Sequence, residues 1–191
     1  EHSDEDEHDD HGHEGDDPHF FTDPARMADA VEGIVDFLTD EVDGLDADAL
    51  AESADAYLAE LEALDGEVEA LVESIPEENR ILVTNHEVFG YFADNYGFEV
   101  VGAVIPSGST ADGASAGDLA ELAEVISDEG VPAIFSDTSS SDDLIETLAA
   151  EVGDIEVIEL YTESLGDADS DGATYLEMVR TNATRIAEAL S

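Results

Sequence analysis

Residues 81–105 read ILVTNHEVFGYFADNYGFEVVGAVI, and the fold follows from this stretch. It opens on a nearly continuous apolar run, 81–85, with the character of a buried strand. A helical segment over about 87–96 follows and stops at Gly97, the residue type that most readily ends a helix. A second apolar strand occupies 99–105. The same alternation continues outward. Strands are expected at 133–137 (AIFSD) and 155–161 (IEVIELY), with helices at 115–129 ended by Gly130, 141–152 ended by Gly153, and 172–190. Strands separated by single helices require right-handed crossovers and a parallel sheet covered on both faces. The expectation for 77–191 is therefore an α/β fold, a four-stranded parallel sheet flanked by helices. Ligands of open α/β sheets bind beyond the carboxyl ends of the strands. His86 follows the first strand, Asp137 ends the third, and Glu163 lies two residues past the fourth.

Upstream the pattern is helical. Asp23-Pro24 combines an N-cap with proline at the first helical position. Met27, Val31, Ile34 and Leu38 then repeat at helical spacing, and Gly44 lies past the end. A second helix is expected over 46–76, where Tyr57, Leu61, Leu64, Val68, Leu71 and Ile75 are spaced 4-3-4-3-4. About 28 helical residues make a rod of roughly 40 Å, long for a small domain and suited to a strut along its outside. Residues 1–17 (EHSDEDEHDDHGHEGDD) hold only acid, histidine, serine and glycine, so they cannot bury a core. His2, His8, His11 and His13 fall there, a composition suited to a weak, multidentate trap for divalent zinc, copper or nickel.

The chain has 191 residues, of which Lys+Arg is 4 and Asp+Glu is 52, for a net charge of -48. Arg26, Arg80, Arg180 and Arg185 are the only basic residues besides histidine and are too scattered to form a nucleic-acid-binding patch. With Cys 0, disulfides and thiolate chemistry are excluded for this stretch. No apolar run approaches the roughly 18 residues of a membrane span. Hydrophobic residues make up 42%, enough for a real core. Such a charge repels itself in dilute buffer, and molar salt, with a Debye length of about 3 Å, relieves it. The composition points to a protein of a very salty milieu. An acidic calcium- or partner-binding protein is the plainer alternative.

Several segments resemble one family. Asp17-Pro18-His19-Phe20-Phe21-Thr22-Asp23-Pro24 is similar to its DPHxWxDP signature, with Phe21 at the usual tryptophan. Thr84-Asn85-His86-Glu87-Val88-Phe89-Gly90-Tyr91-Phe92, with Tyr96-Gly97, resembles a second segment. Tyr161-Thr162-Glu163-Ser164-Leu165-Gly166 resembles a third, and Tyr175-Leu176-Glu177-Met178 with Asn182 and Ile186 its closing helix. The family is the zinc/manganese substrate-binding proteins of ABC importers, of the zinc-uptake component A type. The resemblance implies two α/β lobes joined by one long helix, with the metal held between them. It implies His19 and His86 as metal ligands and Glu163 at a position that is usually aspartate. On this reading 1–17 is the His-rich loop, 18–45 a remnant of the first lobe, 46–76 the linking helix, and 77–191 the C-terminal lobe. The first lobe, its histidine ligand and a membrane anchor would precede the chain. The implied function is extracytoplasmic capture of Zn²⁺, or alternatively Mn²⁺, by a monomer at the cell surface that delivers it to an ABC permease in the membrane.

The residues themselves agree with zinc, since two imidazoles and a carboxylate suit a tetrahedral site, whereas manganese prefers more oxygen ligands. Asp137 could add a further acidic ligand or a partner for a ligating imidazole, or simply cap the next helix. Two motifs mislead. Asp167-Ala168-Asp169-Ser170-Asp171-Gly172 opens like a calcium loop, but its twelfth position is Met178, where glutamate is required. Asn182-Ala183-Thr184 is a glycosylation sequon on an apolar helix face, better suited to packing. A metal-binding surface or adhesion protein is the alternative function. A zinc hydrolase with Glu87 as base is remote, because no HExxH occurs and adjacent helical residues point different ways.

Overall fold

The structure is a computed structural model, which describes residues 17–105, 115–139, 143–153 and 155–191. Four parallel strands, β1 (Ile81–His86), β2 (Glu99–Ile105), β3 (Ala133–Asp137) and β4 (Glu156–Leu160), form one sheet in the order β2-β1-β3-β4. The expected α/β fold and parallel sheet are present. The central strands alternate between two cores. Leu82 and Phe135 face one layer, while Val83 and Ile134 face the other. Both faces need apolar residues, which is why β1 and β3 read as continuous apolar runs, whereas the edge strands β2 and β4 are more exposed.

The first layer is built from α2 (Ala47–Glu73), α3 (Gly90–Tyr96) and α6 (Tyr175–Leu190), through residues such as Leu64, Phe92, Met178 and Ile186. The second comes from α4 (Ala116–Glu129) and α5 (Asp143–Val152), through Leu122, Ile126, Ile145 and Leu148. In β2, a Cβ at Gly102 would lie 2.5 Å from Leu122 Cδ1, so glycine lets α4 approach the sheet. Gly97 and Gly130 end their helices in the left-handed conformation, at φ 72° and 68°.

Two helix starts and one buried stripe differ from the sequence expectation. The helix after β1 starts at Gly90 rather than 87, because the chain first turns back on itself. The Val88 N–H donates to the His86 carbonyl, and the Thr84 hydroxyl donates to the same oxygen. Helix α6 starts at Tyr175 rather than 172. Thr174 and Glu177 form a capping box there, each side chain accepting the other's backbone N–H. In α2 the buried stripe is Ala54, Leu61, Leu64, Val68 and Val72, with Leu71 only partly buried beside it.

Helix α1 (Pro24–Glu41) starts as expected, with the Asp23 carboxylate accepting the Ala25 N–H. It lies along α2. Of its apolar stripe, Met27, Val31 and Leu38 are half-buried, while Ile34 is 57% and its neighbour Phe37 64% exposed. Among the described residues no helix is long and apolar enough to cross a membrane.

Candidate metal centre

His86 is the last residue of β1, and its side chain is 2% exposed. His19 opens a short 3-10 helix, His19–Thr22, immediately before α1, and is also buried. Glu163 stands in the loop after β4, half-exposed. Thr22 ties two of these segments together. Its hydroxyl lies 3.0 Å from the His19 carbonyl and 3.3 Å from that of Val88, just past β1. The imidazoles of His19 and His86 therefore meet edge to face, with ring centres 5.7 Å apart.

One carboxylate oxygen faces both rings. Glu163 Oε1 is 2.6 Å from His86 Nε2 and 3.6 Å from His19 Nε2. Ligand atoms of His19, His86 and Glu163 all lie within 4.8 Å of one another. Donors about 2.0–2.1 Å from a tetrahedral zinc sit roughly 3.3 Å apart, so shifts of about 1.5 Å or less close the set around an ion. The donors, two buried imidazoles and a carboxylate, are those zinc takes.

Asp17 completes the geometry. Its Oδ1 lies 2.7 Å from His19 Nδ1 and also accepts the His19 backbone N–H at 2.9 Å. A carboxylate only accepts, so Nδ1 carries the proton and Nε2 presents its lone pair to the centre. A carboxylate behind a ligating imidazole raises its basicity and fixes its orientation. Sequence reasoning missed this role, although an acid two residues before His19 was its signal. His86 Nδ1, by contrast, is buried and makes no hydrogen bond among the described residues.

The other sequence candidates stand apart. Asp137 is buried at the end of β3, where Oδ1 accepts the Ser139 N–H at 2.6 Å and holds the turn that follows the strand, four residues short of the start of α5 at Asp143. It is not in the cluster that gathers His19, His86 and Glu163. His2, His8, His11 and His13 lie outside the described residues. In the calcium-like loop, Asp171 is spent on Tyr161 and Arg185 instead, at 2.7 and 2.9 Å. Asn182 is buried, as the packing reading expects, but it also holds the backbone of Tyr161, a role the sequence did not announce.

A family model described as zinc-uptake complex component A, periplasmic, matches residues 1–189. The chain is 36% identical over 180 residues to the zinc-binding protein TroA of Treponema pallidum, covering 92% of this chain and 58% of that protein. It is 30% identical over 179 residues to the manganese-binding lipoprotein MntA of Halalkalibacterium halodurans, covering 93% of this chain and 58% of the relative. The chain thus spans less than two thirds of the length of these relatives. The solved structure of Treponema pallidum TroA superposes with a TM-score of 0.83 over 92% of this chain and 64% of that one.

Proposed function

The chain belongs to the zinc-uptake complex component A family, and from that premise we propose that it is the metal-capturing part of an extracytoplasmic solute-binding protein. It takes up a divalent transition metal, zinc first, and delivers it to the permease of an ABC importer. The observation that carries this reading is the convergence of His19, His86 and Glu163 from three separate segments onto one point. His19 and His86 supply neutral imidazole nitrogens, His86 Nε2 once the proton it shares with Glu163 Oε1 has left, Asp17 holds the His19 tautomer, and Glu163 supplies charge. The remaining coordination position goes to water or to a donor outside the described residues. Exposure on the Glu163 side gives the ion its path in and out.

Manganese is the second reading, favoured by the likeness to the manganese-binding lipoprotein MntA of Halalkalibacterium halodurans. The two-nitrogen, one-oxygen donor set favours zinc, because manganese prefers more oxygen. On this reading α2 is the backbone that links the sheet domain to the rest of the protein, and the protein is held at the membrane surface by a segment outside this chain.

Metal content measured after purification in molar KCl, followed by competition between Zn²⁺ and Mn²⁺ for the chain, tests the proposal. Zinc should be retained and should outcompete manganese, and His19→Ala and His86→Ala should each weaken it at least roughly tenfold. Retention of zinc by the double alanine variant at unchanged affinity would put the site elsewhere.

A further inference from the structure

The loop that carries Glu163 runs from the end of β4 to the start of α6, and it is fastened to α6 at several points. Asn182 pairs with both backbone polar groups of one residue, Tyr161. Its Oδ1 accepts the Tyr161 N–H at 2.9 Å and its Nδ2 donates to the Tyr161 carbonyl at 2.7 Å. Asn182 is 6% exposed, so its amide is shielded from water, where an unmade partner costs most. Farther along, the Thr181 hydroxyl donates to the Asp171 carbonyl at 2.6 Å, and Arg185 reaches both the Asp171 carboxylate and the Glu159 carbonyl. The Tyr161 hydroxyl donates to Asp171 at 2.7 Å, and the Arg185 guanidinium stacks 5.2 Å from the Tyr161 ring centre. The Gly166 N–H donates to the Gly172 carbonyl, closing the loop on itself. A Cβ at Gly172 would meet the Tyr161 ring at 2.6 Å, so the loop packs on that ring only with glycine there.

These contacts give a carboxylate on a loop a fixed place. Nothing on β4 itself would hold residues past Leu160, where strand pairing ends. Asn182 extends the hold to Tyr161, two residues short of Glu163, in place of the missing neighbour strand. We propose that Asn182 is the positioning residue for Glu163, with the Tyr161–Asp171–Arg185 cluster bracing the far side of the loop. This rests on the metal-capture reading above. It assigns α6 a part in metal affinity although α6 supplies no ligand to the cluster.

The test is a double-mutant cycle on the whole chain in molar KCl, with Zn²⁺ affinity measured by competition with a chromophoric chelator. Asn182→Ala should weaken zinc by about tenfold, the loss typical of a residue behind a metal ligand. In a Glu163→Ala background the same change should cost nothing further, because its effect passes through Glu163. Equal losses in both backgrounds would make Asn182 a merely structural residue and overturn the proposal, as would an unchanged affinity. Should Asn182→Ala fail to fold by circular dichroism, Asp171→Asn replaces it. Asp171 is exposed, and its loss should give a smaller weakening that again vanishes without Glu163; a weakening that persists there overturns the proposal. An unaltered chain that takes up no zinc overturns the metal-capture reading and this inference with it, an outcome separated from the others by the first titration.

Discussion

Between Leu61 and Val72, α2 buries Leu61, Leu64, Val68 and Val72, while between Ala47 and Glu60 it buries Ala54 alone. One helix thus has two kinds of surroundings. Its second half is a wall of the core shared with β1, β3, α3 and α6. Its first half pairs with α1, whose only buried residue is Pro24. Ala, Leu and Glu dominate both halves, so helix propensity is similar along the rod. What differs is packing, the larger source of helix stability in proteins. The helical hairpin and the sheet domain should therefore open at different free energies, as segments with few buried contacts do.

Salt should expose that difference most strongly. Between Pro24 and Glu73, Arg26 is the sole basic residue among many carboxylates. Lowering KCl from molar to tens of millimolar lengthens screening from about 3 Å to beyond 10 Å. Hydrogen exchange followed by mass spectrometry should speed up first in α1 and the first half of α2, with β1 and β3 protected longest. Simultaneous loss of protection in both regions would merge them into one cooperative unit.

Leu64→Ala comes next. Leu64 is fully buried, and its truncation should cost about 2–5 kcal/mol in denaturant unfolding at high salt. The junction between the two regions responds in the opposite direction. Asp23 caps α1, accepts from the Asn95 side chain at 3.2 Å and lies near Arg26. Burial pushes its carboxyl up, against the backbone hydrogen bonds of Ala25 and Arg26 that lower it, and Asp65 adds to the rise. A raised folded value means the folded state favours the protonated acid. Its contribution is thus present below the ordinary carboxylate value of about 3.9 and lost as pH rises through the folded one. Asp23→Asn keeps the capping oxygen and removes the charge, so it should raise the melting temperature at neutral pH. That gain should shrink below about pH 4. A lowered melting temperature at neutral pH would mean that the Arg26 pairing outweighs burial.

The smallest effect belongs to the hairpin's outer face. Ile34→Ala should change stability by no more than about 0.5 kcal/mol. A cost comparable to that of Leu64→Ala would show that Ile34 is covered in solution, and the same sample in sedimentation velocity would reveal a larger species.

Much of this is legible in the sequence. β1 and β3 announced themselves because both of their faces are buried, and His86 stood out as the polar end of an apolar run. Gly97 and Gly130 marked helix ends because only a left-handed residue closes those turns. The features that stayed hidden depend on partners distant in sequence. α3 starts late because the turn at His86 is held partly by Thr84, and the far side of that turn by Thr22, a residue from before α1. Val72 is buried more deeply than Leu71, which still packs partly buried against the same core, and spacing alone does not report that order. Asn182 looked like a sequon on an apolar face, because a bond to another segment's backbone leaves no periodic mark. Asp17 was visible as part of a motif, but its bond to Nδ1 needed the ring's orientation.

The three converging side chains belong to segments that meet only when the sheet, the 3-10 turn and the β4–α6 loop are all in place. An unfolded chain offers no such point and keeps only weak sites such as the histidines of 1–17, so on the proposed reading zinc engages the native state far more tightly. Mass action then makes the cargo a stabiliser, adding about 2.7 kcal/mol at a free concentration one hundred times Kd. A loaded carrier would be harder to unfold and to digest than an unloaded one, and proteolysis would cull the carriers that return without metal.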